Sequence, residues 1–174
     1  MAMKKVVIFD LDGTLTNSLA SMKLSGDMAM AKFGMGPYTE DQHKVFVGDG
    51  ARVLVERCLI AGGDTELKNL DAAYEEYCKV FEKYCMYKVE PYDGIRELLS
   101  ALKEKEVKIA VLSNKPHERT KDVIKAVFGE GYFDVVQGQQ DDVPRKPSPI
   151  GVFKILEKLS LTPEDLLYIG DTGT

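Results

Sequence analysis

IFDLDGTLTN, residues 8–17, reads as the end of a buried strand that runs straight into two carboxylates, Asp10 and Asp12, set two positions apart. Gly13, the Thr14 hydroxyl and the Asn17 amide follow within the same turn. Like charges this close repel, so stability gives no reason for the pattern, and a chemical use has to supply one. Outward from this stretch, KKVVIFDL is a short apolar run rich in β-branched residues, the pattern of a strand covered on both faces. Three runs of the same kind follow, VKIAVLS (107–113), FDVVQG (133–138) and DLLYIGD (165–171). Helical spacing fills the intervals. Residues 93–105 carry Ile95, Leu98, Leu99 and Leu102 on one stripe, 117–128 and 149–159 look similar, and Ser148-Pro149 suggests a cap followed by proline at the first helical position. Strands alternating with helices predict an α/β fold, a Rossmann-like parallel sheet with flanking helices.

Residues 19–88 interrupt the alternation. Only helical patterns occur there, at 19–33, 42–46, 51–60 and 67–87, and in the last of these Leu67, Leu70, Tyr74, Tyr77, Phe81 and Tyr84 form one stripe that reads as the core of a helix bundle. The expected organisation is a discontinuous core, 1–18 and 89–174, with an inserted all-helical cap domain over 19–88.

Composition narrows the function classes. With 174 residues, a net charge of −5 and 44% hydrophobic residues, the chain suits a packed core but lacks the basic footprint of a nucleic-acid binder. An acidic chain makes a metal ion the natural neutraliser of a carboxylate cluster. No apolar run approaches the ~20 residues of a membrane span, and MAMKKVVIFD leads into a strand without a signal-peptide cleavage region. Cys58, Cys78 and Cys85 form no framework; Cys78 and Cys85 would sit roughly 10 Å apart along one helix, too far to share a zinc. All three are expected to be small buried hydrophobes in a reducing cytoplasm.

In a parallel α/β sheet, ligands bind beyond the carboxyl ends of the strands, where the strand order reverses. The predicted strands end in Asp10-Leu11-Asp12-Gly13-Thr14, in Ser113-Asn114-Lys115, in a loop bearing Lys146, and in Gly170-Asp171. Carboxylates, a hydroxyl and an amine would therefore gather at one sheet edge.

That order of residues resembles the haloacid-dehalogenase-like superfamily of phosphotransferases. DLDGT matches its D-x-D-G-T motif, VLSN its hydroxyl-bearing strand end, the PRKPSP loop its lysine, and YIGDTGT its acidic G-D motif. The helical insertion matches the branch with a helical cap, and FDLDGTLTNS, VGDGARVL and LSNKP look most like phosphoglycolate phosphatases. The resemblance implies a Mg²⁺-dependent phosphomonoester hydrolase acting on a small phosphorylated metabolite such as 2-phosphoglycolate, with no nucleic-acid or membrane partner. Asp10 would be the nucleophile that forms an aspartyl-phosphate, and Asp12 the acid and then the base. Mg²⁺ would be held by the Asp10 carboxylate, the Asp12 carbonyl and the Asp171 carboxylate. The Leu11–Gly13 turn would present N–H groups to the phosphoryl oxygens, Ser113 and Asn114 would hydrogen-bond them, and Lys146 would neutralise their charge.

Thr14 reads as structural, Thr16 and Asn17 as a hinge, and His117 as a surface residue. The turn at Gly48-Asp49-Gly50 would aim Arg52 at a substrate carboxylate. A helical-cap phosphomutase uses the same aspartate pair and is told apart by its product, whereas a phospho-receiver would carry its acceptor on a later strand. The resemblance also implies a further carboxylate, helix and strand after Thr174, so the chain is expected to be a shortened form that binds Mg²⁺ weakly and turns over slowly or not at all. A monomer or weak homodimer is expected. An inactive phosphate-binding module is the remaining alternative.

Overall fold

A computed structural model describes residues 4–171. The last three residues of the YIGDTGT stretch lie outside this range. Two compact units emerge, one formed by Met1–Asn17 with Glu90–Thr174 and the other by Ser18–Val89.

The first unit is built on a four-stranded parallel sheet. Its strands are β1 (Val6–Phe9), β4 (Lys108–Pro116), β5 (Val135–Gln139) and β6 (Leu166–Ile169), in the order β5-β4-β1-β6. β1 is buried along its whole length, as a run without polar alternation requires. From β1 the chain steps outward to β4 and β5, then returns to β1's other side at β6. That reversal opens the crevice at the carboxyl end of β1.

On one face Val6, Ile8, Ala110 and Leu112 pack against Ile155 and Leu156 of α7 (Ile150–Leu159). α6 (His117–Val127) takes the other face, where Gly138 of β5 meets Thr120. α5 (Ile95–Glu104) lies on the same side as α6, its Arg96 reaching the Val127 carbonyl and the Phe128 ring.

The structure departs from the sequence pattern at several points. β6 is an edge strand among the described residues, with Leu167 46% exposed, so its apolar run is covered less than that of β1. Only Leu99 of the α5 stripe is fully buried, and Leu98 faces solvent. Pro149 is the residue before α7 rather than its first helical residue, and the Ile150 N–H reaches the Ser148 hydroxyl at 3.4 Å. The residues read as a hinge form β2 (Thr16–Asn17), which pairs antiparallel with β3 (Glu90–Pro91).

The second unit holds α1 (Leu19–Ala31), α2 (Glu40–Phe46), α3 (Ala51–Ala61) and α4 (Leu70–Tyr84). Tyr77 and Phe81 of the α4 stripe stack at 5.4 Å in its core beside Leu54, Cys58 and Leu59. Leu67, expected within that helix, precedes it at a positive φ of 56°. Cys58 and Cys85 are buried, but Cys78 is exposed on the outer side of α4, against the expectation for all three. No described helix is long and apolar enough to cross a membrane.

Candidate active site

The end of β1 sets the geometry. Asp10 continues the sheet by donating its N–H to the Ile169 carbonyl at 2.9 Å, then turns a buried carboxylate into the crevice. Oδ1 accepts from the Leu11 N–H at 2.7 Å, and Oδ2 meets the Lys146 ammonium at 2.6 Å. Burial drives the Asp10 carboxyl above its ordinary value, the charge and hydrogen bond of Lys146 oppose that rise without cancelling it, and nearby Asp12 adds to it. For Lys146 burial is the largest single influence and pulls downward, but the charge and hydrogen bond of Asp10 together with those of Tyr168 outweigh it and leave the pKa above its ordinary value.

The turn after Asp10 winds tightly. The Leu15 and Thr16 N–H groups both point to the Leu11 carbonyl, and the Gly13 N–H closes back onto the Thr16 carbonyl at 2.9 Å. The Leu11 N–H holds the Asp10 carboxylate and the Gly13 N–H closes the turn. Gly13 serves the site in a further way. At φ +85° it leaves the space into which the Asp171 side chain fits, and a β-carbon there would overlap that carboxylate. Thr14, read as structural, donates its hydroxyl to Asp171 Oδ1 at 3.2 Å and so orients the same group.

β4 supplies the next residues. Ser113, Asn114 and Lys115 are all buried. The Ser113 hydroxyl oxygen accepts from the Lys115 N–H at 3.1 Å and keeps its own hydrogen to donate. Asn114 faces the Lys146 backbone, accepting its N–H at 2.9 Å and donating to its carbonyl at 3.4 Å. Both ends of this amide fasten the lysine loop.

Two residues of the site carry no role in the sequence reading. Lys115 Nζ lies 2.6 Å from Asp12 Oδ1. The Tyr168 hydroxyl takes the Lys146 ammonium at 3.1 Å, and burial, ahead of the charges around it, raises that phenol's pKa. Lys115 stood in plain view beside Ser113 and Asn114, but nothing local names its partner. Arg52 belongs to the helical unit, where it forms an exposed pair with Asp71 at 2.7 Å and lies over the Tyr74 ring. Asp71 engages one nitrogen, Nη2, of the guanidinium.

The metal donors expected here, two carboxylates and the Asp12 carbonyl, are all hard oxygens. Among the described residues no three His, Cys, Asp or Glu side chains gather into a metal cluster. Mg²⁺ fits such a set, because it commonly takes one or two carboxylates and completes its shell with water and substrate phosphate.

The sequence profile described as haloacid dehalogenase-like hydrolase matches residues 7–174. A phosphoglycolate phosphatase of Aquifex aeolicus is 36% identical over 172 residues, which are 97% of this chain and 76% of that protein. One of Mannheimia succiniciproducens is 31% identical over 175 residues, 97% of this chain and 77% of that protein. A crystal structure of a predicted phosphoglycolate phosphatase from Haemophilus somnus superposes with a TM-score of 0.89 at 27% identity, covering 98% of this chain and 78% of that one. With its carboxylate-ended first strand, buried lysine loop and matching profile, the chain belongs to the haloacid dehalogenase-like hydrolases.

Proposed function

We propose that the protein is a phosphomonoester hydrolase that works through an aspartyl-phosphate on Asp10, with 2-phosphoglycolate as the substrate to try first. The observation that carries this reading is the unequal environment of two carboxylates at one strand end. Asp10 is buried against Lys146, while Asp12, more accessible, is paired with Lys115. Two carboxyl groups in different surroundings can take different roles.

An Asp10 carboxylate oxygen forms a bond to phosphorus as the ester P–O bond breaks, and Asp12 gives its proton to the departing oxygen. Asp12, now a carboxylate, removes a proton from water. That water's oxygen bonds to phosphorus, the Asp10–phosphorus bond breaks, and Asp10 is regenerated with release of phosphate. Lys146 balances charge on Asp10 and on the phosphoryl oxygens, and the Ser113 hydroxyl donates to one of them. Bound Mg²⁺, held by Asp10, Asp171 and the Asp12 carbonyl, would neutralise phosphoryl charge. The helical unit would act as the cap that selects substrate and excludes water. A cytoplasmic location follows from the resemblance and suits the free thiols.

The experiment is a phosphate-release panel with and without Mg²⁺, comparing 2-phosphoglycolate, sugar phosphates, nucleotides and p-nitrophenyl phosphate. Asp10→Asn should abolish turnover in a folded protein. Retention of a tenth of the rate, about 1.4 kcal/mol of barrier, would rule out the covalent route.

A further inference from the structure

Lys115 is a buried cation that the proposed chemistry does not use. Its side chain is 3% exposed, and its ammonium sits against Asp12 rather than Asp10. Burying an ammonium is costly unless its partner is well placed, so the way this lysine is aimed matters. β4 loses regular register between Leu112 and Pro116. In a regular strand Ser113 and Lys115 would face one side and Asn114 the other. An irregularity of this kind re-aims side chains beside active sites.

The backbone of Lys115 is fixed without help from Asp12. Its N–H donates to the Ser113 hydroxyl oxygen at 3.1 Å, and its carbonyl accepts from the Thr120 hydroxyl at 3.1 Å. Gly138 of the neighbouring strand presses on the same point, since a β-carbon there would overlap the Lys115 carbonyl, Thr120 Oγ1 and His117 Cα. The Gly138 N–H is held by His117 Nδ1 at 3.1 Å, which gives the presumed surface histidine a structural task. The ammonium therefore reaches Asp12 from a preset point and restrains the Oδ1 end of that carboxylate.

We infer that Lys115 is a positioning residue, holding the Asp12 carboxylate in register for proton transfer to and from the reacting oxygen; the inference rests on the phosphatase reading above. Lys115 acts through Asp12, so its effect must vanish when Asp12 can no longer carry a proton. The test uses the full chain and the variants Lys115→Met, Thr120→Val and Asp12→Asn, with Lys115→Met/Asp12→Asn and Thr120→Val/Asp12→Asn. The readouts are thermal melts and single-turnover rates on p-nitrophenyl phosphate and on an alkyl phosphomonoester.

Lys115→Met should lower the rate about 100-fold, the scale of general acid catalysis, with KM changed less than about threefold. The loss should be larger on the alkyl ester, whose leaving oxygen needs the proton. Thr120→Val, which removes the hydroxyl shared by the Lys115 and Pro116 carbonyls, should remain folded and show a smaller loss of the same kind. Neither substitution should slow Asp12→Asn further. Equal losses with and without Asp12, or a folded Lys115→Met as active as the parent, would overturn the positioning role alone. A parent chain inert toward every phosphoester even with Mg²⁺ in large excess would leave the inactive phosphate-binding module and overturn the phosphatase reading of this chain, and this inference with it.

Discussion

The Asp171 carboxylate lies against Gly13, in the space where any other residue would carry its β-carbon. The DLDGT glycine is thereby tied to the acidic group that follows β6, as the neighbouring Thr14 is by its hydrogen bond to Asp171 across 157 positions. Gly13→Ala should displace Asp171 and also force alanine to a φ of +85°. Mg²⁺ half-saturation measured from activity should rise about 10–100-fold, as when a group supporting a metal ligand is lost. Unfolding free energy should fall by about 1–3 kcal/mol from backbone strain.

Asn114→Ala separates a loop clamp from a phosphate ligand. Truncation leaves the N–H and carbonyl of Lys146 unpaired in a buried place, which costs about 1–3 kcal/mol of stability. The rate should fall with it, because Lys146 loses its fixed approach to Asp10. A lower melting temperature with kcat reduced and KM little changed is the expected pattern. A raised KM at unchanged stability would instead mark Asn114 as a substrate contact.

Among the described residues the Lys146 ammonium has two oxygen partners, and Tyr168→Phe removes one of them and leaves the ring in place. Hydrogen bonds to charged groups contribute about 1.5–3 kcal/mol, but Asp10 remains as the stronger partner. The expected loss in kcat is about 3–10-fold, roughly 0.7–1.4 kcal/mol of barrier. Phosphate-release rates on one substrate, with melts as the control, measure it.

The helical unit carries a pH dependence of its own. His43 of α2 is fully buried, its Nε2 lies 3.2 Å from Asp27 Oδ1, and the Tyr38 and Phe46 rings pack around it. Asp27 also takes the Lys23 ammonium and the Tyr38 N–H. Among the described residues Nδ1 finds no hydrogen-bond partner. Burial lowers the His43 pKa from its ordinary 6.5, and the Asp27 hydrogen bond opposes that without reversing it. Below 6.5 the unfolded chain therefore takes up a proton that the folded chain resists, and stability should fall as pH drops through that value and level off below the folded pKa. Melting curves from pH 8 to 5 should show the decline, and His43→Phe should flatten it.

The sheet and its helices were legible because the strands are contiguous apolar runs and the helices repeat their apolar residues at helical spacing. β1 and β4 are such runs, and α6 buries Thr120, Val123 and Ile124. β2 and β3 were not legible, since two residues each, one of them Pro91, give no period to detect. The position of β6 in the sheet was hidden for a different reason, since an apolar run does not say whether a neighbour covers it.

The same divide runs through the site. Asp10, Asp12, Ser113, Lys146 and Asp171 follow from motif order, but the partners of Lys115 and Asn114 do not. Lys115 meets Asp12 across 103 positions and Asn114 meets Lys146 across 32. Both residues lie where β4 loses regular register, between Leu112 and Pro116, a shift the VLSNKP sequence does not announce.

Asn17 and Glu90 stand opposite each other in the β2–β3 pair. The chain thus leaves the sheet unit and re-enters it at adjacent rungs of one antiparallel ladder, which Tyr92 extends by donating its N–H to the Leu15 carbonyl at 3.2 Å. Everything between those rungs is a single excursion whose ends are already stitched together. Closing a long excursion costs only logarithmically more entropy than closing a short one. An Asn-Gly reverse turn, favoured for antiparallel pairs, could therefore replace Ser18–Val89 without moving any strand of the parallel sheet. The sheet unit is in this sense a socket, and unrelated domains with neighbouring termini could be grafted onto it.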